Sequence, residues 1–282
     1  MVGGPISSGN LIRAKGARRP RRDVLLIETP LEGRLVRAER RRSFLPALSA
    51  LVKDLHVDAS VYHESVNTME DLRAVLKRCA DQNGRSRQTS TIERTRIGFI
   101  HIVSHGDKHG FLLRRADGTA PEAEEFGAEF GRVKNVGIRA VFLSSCKSAR
   151  GQRMATAITQ TGGIPYVVGY MNTTYDSRCC LADQLFYYQV LFARPRAPIE
   201  TAVRRVNDAL FLVGEKPERM LGCWRLDEAK VLGPSPWWDK KWADSKSPDV
   251  RSLLAMAVGH ARRPRGPGAI SLLQDLLQSL EE

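Results

Sequence analysis

Short runs of apolar residues alternate with amphipathic segments along this chain, and this alternation constrains the fold more than any other feature. The runs at 23–30, 96–104, 138–146 and 165–170 are apolar on both faces of an extended strand. Strands of that kind must be covered on both sides, and parallel strands need a crossover between them, usually a helix. The pattern therefore predicts an α/β domain with three αβα layers and a mostly parallel central sheet.

Further elements follow from periodicity and from turn residues. The spacing predicts helices at 39–55, 68–82, 122–131, 149–163, 176–192 and 199–214, and further strands at 59–65 and 219–227. Asn67 or Thr68 is expected to cap the helix that follows, and 83–95 reads as a polar loop. An Asp-Gly pair within 110–120 predicts a short hairpin there.

Composition divides the chain into three parts. Residues 1–22 carry six basic and no acidic side chains among Gly, Ser and Pro, which is typical of a disordered basic tail. Residues 23–232 hold the predicted α/β domain. Residues 233–282 change to a Pro- and Trp-rich stretch followed by two amphipathic segments, which predicts a C-terminal helical extension.

The net charge of +13 at pH 7 restricts the plausible partners. The arginine clusters of the chain can be interpreted as a phosphate-binding surface or as a solvated face with basic tails. They have no interleaved aromatic residues and match no groove-binding motif. Nucleic-acid binding through the basic tail is therefore possible but not favoured.

The sequence features bearing on location point to the cytoplasm. No apolar run approaches the roughly 18 residues that a membrane span requires, and the basic N-terminus has no secretory apolar core. The five cysteines are an odd number and form no metal-binding spacing, so they are expected to be reduced thiols. We expect a cytoplasmic protein without membrane contact.

Two apolar strands end on residues that can carry chemistry. The first ends in Ser-His-Gly, with His105 followed by Gly106, and the second ends in Ser-Ser-Cys, with the cysteine at 146. A histidine beside a cysteine can accept the thiol proton and later return it to a leaving amine. The backbone N–H groups of Gly106 and Cys146 are suited to stabilise an oxyanion. The alternative is structural: a buried apolar thiol and a turn histidine.

Neither a metal ion nor a cofactor is expected. His101 and His109 flank His105 at spacings of four residues. In a strand, His101 and His105 would lie about 13 Å apart, which is too far to share one ion. No acidic or cysteine cluster completes a ligand set.

The segments FIHIVSHGDKHG and AVFLSSCKSA resemble the two catalytic strands of caspase-like (clan CD) cysteine peptidases, in particular the bacterial CHAT-domain type related to separase. His105 and Cys146 match the His-Gly and small-residue-Cys positions of that pattern. GGIPYVVGY is similar to the next CHAT strand. The helix at 176–192 keeps the family's spacing between an aspartate, Asp176, and a Phe-Tyr pair ten residues later.

The resemblance implies a caspase-like fold and a thiol protease with a His105/Cys146 dyad. It also implies that Asp176 lies in the specificity pocket and selects Arg or Lys before the cut, although Asp176 also suits a helix N-cap. Relatives of this type act as zymogens in regulated proteolysis, including antiviral defence, so a protein substrate and an activating protein or upstream protease are expected partners. The alternatives are a catalytically silent caspase-fold scaffold and a nucleic-acid-binding module.

Overall fold

A computed structural model describes residues 22–29, 44–54, 59–88, 97–107, 110–111, 113–146, 148, 152–172, 176–192, 196–212, 215, 220–226 and 231–232. The predicted basic tail, apart from Arg22, and the predicted extension at 233–282 lie outside these residues. The three-part domain division therefore stays a prediction. No helix of the described part of the chain is long and apolar enough to cross a membrane.

The described strands and helices alternate as the sequence predicts. The strands are β1 (Asp23–Glu28), β2 (Val61–Ser65), β3 (Ile97–Val103), β4 (Gly106–Asp107), β5 (Gly110–Phe111), β6 (Ala140–Ser144), β7 (Tyr166–Tyr170), β8 (Leu221–Arg225) and β9 (Val231–Leu232). The helices are α1 (Leu45–Asp54), α2 (Met69–Gln88), α3 (Ala123–Phe130), α4 (Gln152–Thr156), α5 (Asp176–Tyr187) and α6 (Ile199–Leu212). The ends of α4 and α5 widen into π-helical turns at Ala157–Thr161 and Tyr188–Phe192.

Within the described residues, the central sheet has the strand order β2-β1-β3-β6-β7-β8-β9. The first five strands of that order run parallel, and β8 and β9 pair antiparallel at one edge. β3 and β6 are therefore neighbours with their carboxyl ends at the same edge of the sheet. In open α/β sheets that edge is where ligands bind.

Helices cover both faces of the sheet, so the predicted αβα sandwich with a mostly parallel sheet is confirmed. Alternate residues of β3 face opposite layers: Phe99 belongs to one apolar cluster and Ile100 to the other. The first cluster takes its helical side chains from α1, α5 and α6, and the second from α2, α3 and α4. β3 and β6 are buried along their whole length, as their uninterrupted apolar sequences predict.

Helix α2 is longer than predicted. Its start is confirmed at Thr68, whose Oγ1 accepts a hydrogen bond from the N–H of Asp71, while Asp71 Oδ2 accepts from the N–H of Thr68. The expected loop from residue 83 onward is wrong as far as Gln88. Asn83 does not break the helix, because it is buried and its side-chain amide donates to the carbonyl of Ile97, 2.9 Å away. A tertiary contact outweighs the local turn preference here.

The predicted hairpin is only partly correct. The Asp-Gly turn forms, with Gly118 at φ +83° and the N–H of Arg115 donating to the carbonyl of Thr119. Its flanks are not regular strands. The strand pair lies further upstream, where β4 and β5 place Gly106 opposite Phe111. Because β4 starts directly after His105, the pairing of β4 with β5 fixes the backbone that follows this histidine.

Close packing of α3 against the π-helical turn after α4 gives a stability test. A Cβ added at Gly127 would lie 2.5 Å from the carbonyl oxygen of Ala157, a backbone atom that cannot move freely. We expect Gly127→Ala to lower the free energy of unfolding by about 1–3 kcal/mol, although alanine favours helix. Chemical denaturation at equilibrium measures this change.

The control is Gly84→Ala in α2, where an added Cβ meets nothing within 4 Å. This substitution should raise the free energy of unfolding by about 0.5–1 kcal/mol through helix propensity alone. Equal effects of the same sign at both positions would contradict the packing explanation.

Candidate active site

The register of β3 and β6 brings the two predicted catalytic residues to the same level. Val103 pairs with Ser144, and the N–H of Ser104 donates to the carbonyl of Ser144 at 3.3 Å, so the pairing extends past the last strand residue of β3. His105 and Cys146 each follow this pair by two residues, on strands that run about 4.8 Å apart. His105 is exposed and Cys146 is half-buried. Both residues therefore follow the ends of neighbouring strands at the carboxyl edge of the sheet.

Gly106 is pressed against the end of the neighbouring strand. A Cβ built on Gly106 would overlap Ser145 Oγ and lie 2.9 Å from the carbonyl oxygen of Cys146. The chain after β3 therefore approaches the Ser145 side chain and the Cys146 carbonyl so closely that only glycine fits at this position. This close approach explains why glycine must follow His105.

The turn after β6 is held by short hydrogen bonds. The N–H of Ser145 donates to the carbonyl of Leu143, so the chain leaves the ladder of the sheet directly after Ser144. Ser148 is buried, and its Oγ lies 2.9 Å and 2.8 Å from the carbonyl oxygens of Leu143 and Ser145, which share its single proton, while it accepts from the N–H of Tyr170. The backbone around Cys146 is thus fixed from the strand behind it and from β7.

A buried carboxylate lies behind the strand ends, on the helical layer formed by α1, α5 and α6. Asp183 of α5 accepts a hydrogen bond from Ser144 Oγ at 2.7 Å and another from the Tyr170 hydroxyl at 2.8 Å. Its side chain is only 2 % exposed. Burial, followed by the charge of Asp183, raises the pKa of Tyr170 well above its ordinary value, so this hydroxyl remains a donor.

His101 is the next member of this buried cluster. Its Nε2 is 3.4 Å from Asp183 Oδ2, which is longer than an ordinary hydrogen bond. Its Nδ1 is 3.1 Å from the Tyr187 hydroxyl. The ring stacks between Phe44 and Phe142, with both centroid distances at 5.0 Å. His101 is thus a fully buried core histidine, and among the described residues no group of three or more His, Cys, Asp or Glu could hold a metal ion.

The structure describes only part of the other predicted site residues. Asp176 is the first residue of α5, as expected of a helix N-terminus near this edge, but its side chain lies outside what the structure describes. Its pocket role stays a prediction, and so does the oxyanion role of the Gly106 and Cys146 N–H groups. His109 also lies outside the described residues.

Sequence reasoning missed Asp183. The available signal was an acidic residue inside the apolar part of α5, four positions before Tyr187 and therefore on the same helical face. Charged residues are seldom buried without partners, so this position pointed to a polar network within the core. Its partners on three different strands are invisible in the sequence, because they depend on which strands are neighbours.

Comparison with known proteins yields likeness to solved structures only. No family model and no curated protein sequence matches the chain. Among solved structures, the fold is similar to a secreted C11 cysteine protease from Bacteroides thetaiotaomicron, "iotapain", at 10 % identity and a TM-score of 0.45, over 75 % of this chain and 68 % of that one.

The contact at Gly106 predicts a specific coupling between the two strand ends. We expect Gly106→Ala to lower the free energy of unfolding by about 1–3 kcal/mol, since the new methyl group overlaps Ser145. In a Ser145→Gly background the same substitution should cost at least about 0.5 kcal/mol less, because two of the three nearest atoms are removed. A double-mutant cycle by chemical denaturation measures the coupling. Strict additivity would show that the two strand ends do not touch.

Thiol reactivity should divide the cysteines by burial. Cys79, Cys179 and Cys223 are buried, whereas Cys146 and Cys180 are partly exposed. Burial raises the pKa of the Cys223 thiol to about 12, so at pH 8 only about one molecule in ten thousand carries the reactive thiolate. We expect brief iodoacetamide treatment of the folded protein, read by peptide mass mapping, to modify Cys146 and Cys180 alone. Labelling of Cys223 at a similar rate without unfolding would contradict this.

Proposed function

We propose that this chain is a cysteine endopeptidase in which Cys146 is the nucleophile and His105 the general base. The observation that carries the proposal is the parallel pairing of β3 with β6. This pairing places both residues at one sheet edge, with Gly106 against the backbone of Ser145 and Cys146. A structural thiol at the end of a buried strand would not require an exposed histidine at the same level of the adjacent strand.

The chemistry follows from these residue types. His105 accepts the thiol proton of Cys146, and the thiolate sulfur attacks the peptide carbonyl carbon. Backbone N–H groups at Gly106 and Cys146 stabilise the oxyanion, and His105 donates its proton to the departing amine. Water then attacks the acyl-enzyme thioester. This second step releases the new carboxyl terminus and restores the thiol.

Substrate preference is assigned to Asp176. It starts α5 and follows the end of β7 by six residues, so its backbone lies near the edge that carries Cys146. A carboxylate there would pair with the guanidinium of an arginine or the ammonium of a lysine before the cut. An uncharged residue would leave that carboxylate without a partner, which disfavours other substrates.

The setting of the reaction comes from the CHAT resemblance alone. On that basis we propose a bacterial, cytoplasmic zymogen that an activating protein or an upstream protease switches on, and that cuts protein substrates in a regulated cascade of the kind that includes antiviral defence. Neither a cofactor nor a metal takes part in the proposed reaction.

A fluorogenic peptide panel with Arg, Lys, Asp or Ala before the cut tests the proposal. We expect cleavage after Arg or Lys, reduced by about a thousandfold or more in Cys146→Ala and in His105→Ala. Asp176→Ala should lower kcat/KM for the Arg peptide by about a hundredfold and leave the Ala peptide unchanged. Cys180→Ser is the matched control, since Cys180 is the other partly exposed thiol. Its activity should stay within about twofold of the unsubstituted chain.

The panel also separates the alternatives. Cleavage that survives Cys146→Ala would overturn the proposed nucleophile. If no peptide is cut, an arginyl acyloxymethyl ketone probe is applied, because it alkylates a competent nucleophile even where turnover is slow. Labelling of Cys146 would indicate a zymogen, and absence of labelling would indicate the silent scaffold.

A further inference from the structure

The buried carboxylate of Asp183 is connected to the strands that lead to both catalytic candidates. On β6, Ser144 donates to Asp183 Oδ2 and lies two residues before Cys146. On β3, His101 lies 3.4 Å from the same oxygen atom and four residues before His105. The other oxygen, Oδ1, accepts from Tyr170 at the end of β7. One side chain of α5 therefore contacts three neighbouring strands just below the reactive edge.

Placing a carboxylate in this core is unfavourable unless donors replace its water. Asp183 and Ser144 are 2 % and 1 % exposed, and the surrounding cluster is aromatic and aliphatic. Hydrogen bonds to an ionised acceptor are short and strong, and a low dielectric strengthens them further. The Ser144 hydroxyl is consequently held in one position more tightly than an apolar residue at the same place would be.

The position of Ser144 matters because it is the last residue of β6 that pairs with β3. The N–H of Ser145 turns back to the carbonyl of Leu143, so Cys146 extends from the sheet beyond its last paired residue. A shift of Ser144 is transmitted to Cys146 through two residues. Nucleophilic attack depends on sub-ångström placement, and a displacement of about 1 Å can reduce the rate about a hundredfold.

We propose that Asp183 is a positioning residue of the site, which sets the location of Cys146 by binding the Ser144 hydroxyl from α5. The proposal rests on the proposed peptidase function for its kinetic consequence, but the placement of the thiol has an independent readout in its alkylation rate. Asp183 does not touch the substrate and takes no part in proton transfer.

A purely structural role for Asp183 is the main alternative, and the network contains a matched control for it. Tyr170 donates to the same carboxylate at 2.8 Å, against 2.7 Å for Ser144, and both residues are fully buried. Tyr170 lies on β7, which pairs with β6 but does not carry Cys146, and Tyr170→Phe leaves the backbone bond from the Tyr170 N–H to Ser148 in place. Ser144→Ala and Tyr170→Phe each remove one hydroxyl donor from Asp183, but only the first frees the end of β6.

The experiment compares Ser144→Ala, Tyr170→Phe and Asp183→Asn in the full-length chain. The asparagine has one acceptor oxygen in place of two and no charge, so either Ser144 or Tyr170 loses the carboxylate oxygen to which it donates and can only accept from the new NH2 group. For each variant we would measure thermal unfolding, kcat and KM on the best arginyl peptide, and the rate of Cys146 alkylation by iodoacetamide well below the unfolding temperature.

We expect Ser144→Ala and Asp183→Asn to lower kcat by about tenfold to a hundredfold, with KM within about twofold, and to change the Cys146 alkylation rate at least about threefold. Tyr170→Phe should lower the unfolding temperature to a similar degree as Ser144→Ala and leave both rates nearly unchanged. If Asp183→Asn does not fold, the Ser144 and Tyr170 pair still decides the question.

Failure of the positioning proposal and failure of the peptidase proposal give different results in this experiment. Equal effects of Ser144→Ala and Tyr170→Phe on kcat and on alkylation would overturn the positioning role while peptidase activity remained. An unsubstituted chain that cuts no peptide and does not react with the arginyl ketone probe at Cys146 would overturn the peptidase proposal, and the iodoacetamide comparison would then decide whether Asp183 places Cys146.

Discussion

β3 and β6 are hydrogen-bonded in parallel with Val103 opposite Ser144, and the location of each candidate catalytic group follows from this pairing. Shifting the register by one residue would mean that His105 and Cys146 no longer follow the same paired residues of the two strands. It would also turn the apolar side chains of the shifted strand toward the wrong helical layer. Because both strands are buried on both faces, packing in two layers holds the register.

The sheet edge combines a tight backbone contact with a buried polar support. In front, Gly106 meets Ser145 and Cys146 without room for a side chain. Behind, Asp183 binds the hydroxyl of Ser144 from the adjacent helix. The carboxyl end of β6 is therefore held between its neighbour strand and α5. Such support on rigid elements is what a site requires when its nucleophile must be placed accurately.

Different kinds of residue were predictable to different degrees. The strands of the central sheet were readable because burial on both faces leaves an unbroken apolar run, as in β3 and β6. Asn83 was misread because its turn preference is local, whereas its amide partner Ile97 is a tertiary neighbour. The Asp-Gly turn at Gly118 was found, but the strand pairing near it was displaced to Gly106 and Phe111.

By itself, the sequence determined the αβα class, the main parallel strands, and the candidate pair His105 and Cys146, because each of these is written in local composition and in the residues that end a strand. Only the tertiary structure decided that β3 and β6 are neighbours in register, that Gly106 touches Ser145, and that Asp183 contacts Ser144 and Tyr170. The physical reason is that these contacts join residues separated by 13 to 41 positions. Which distant groups meet is set by the global packing of strands and helices, to which local propensity contributes little.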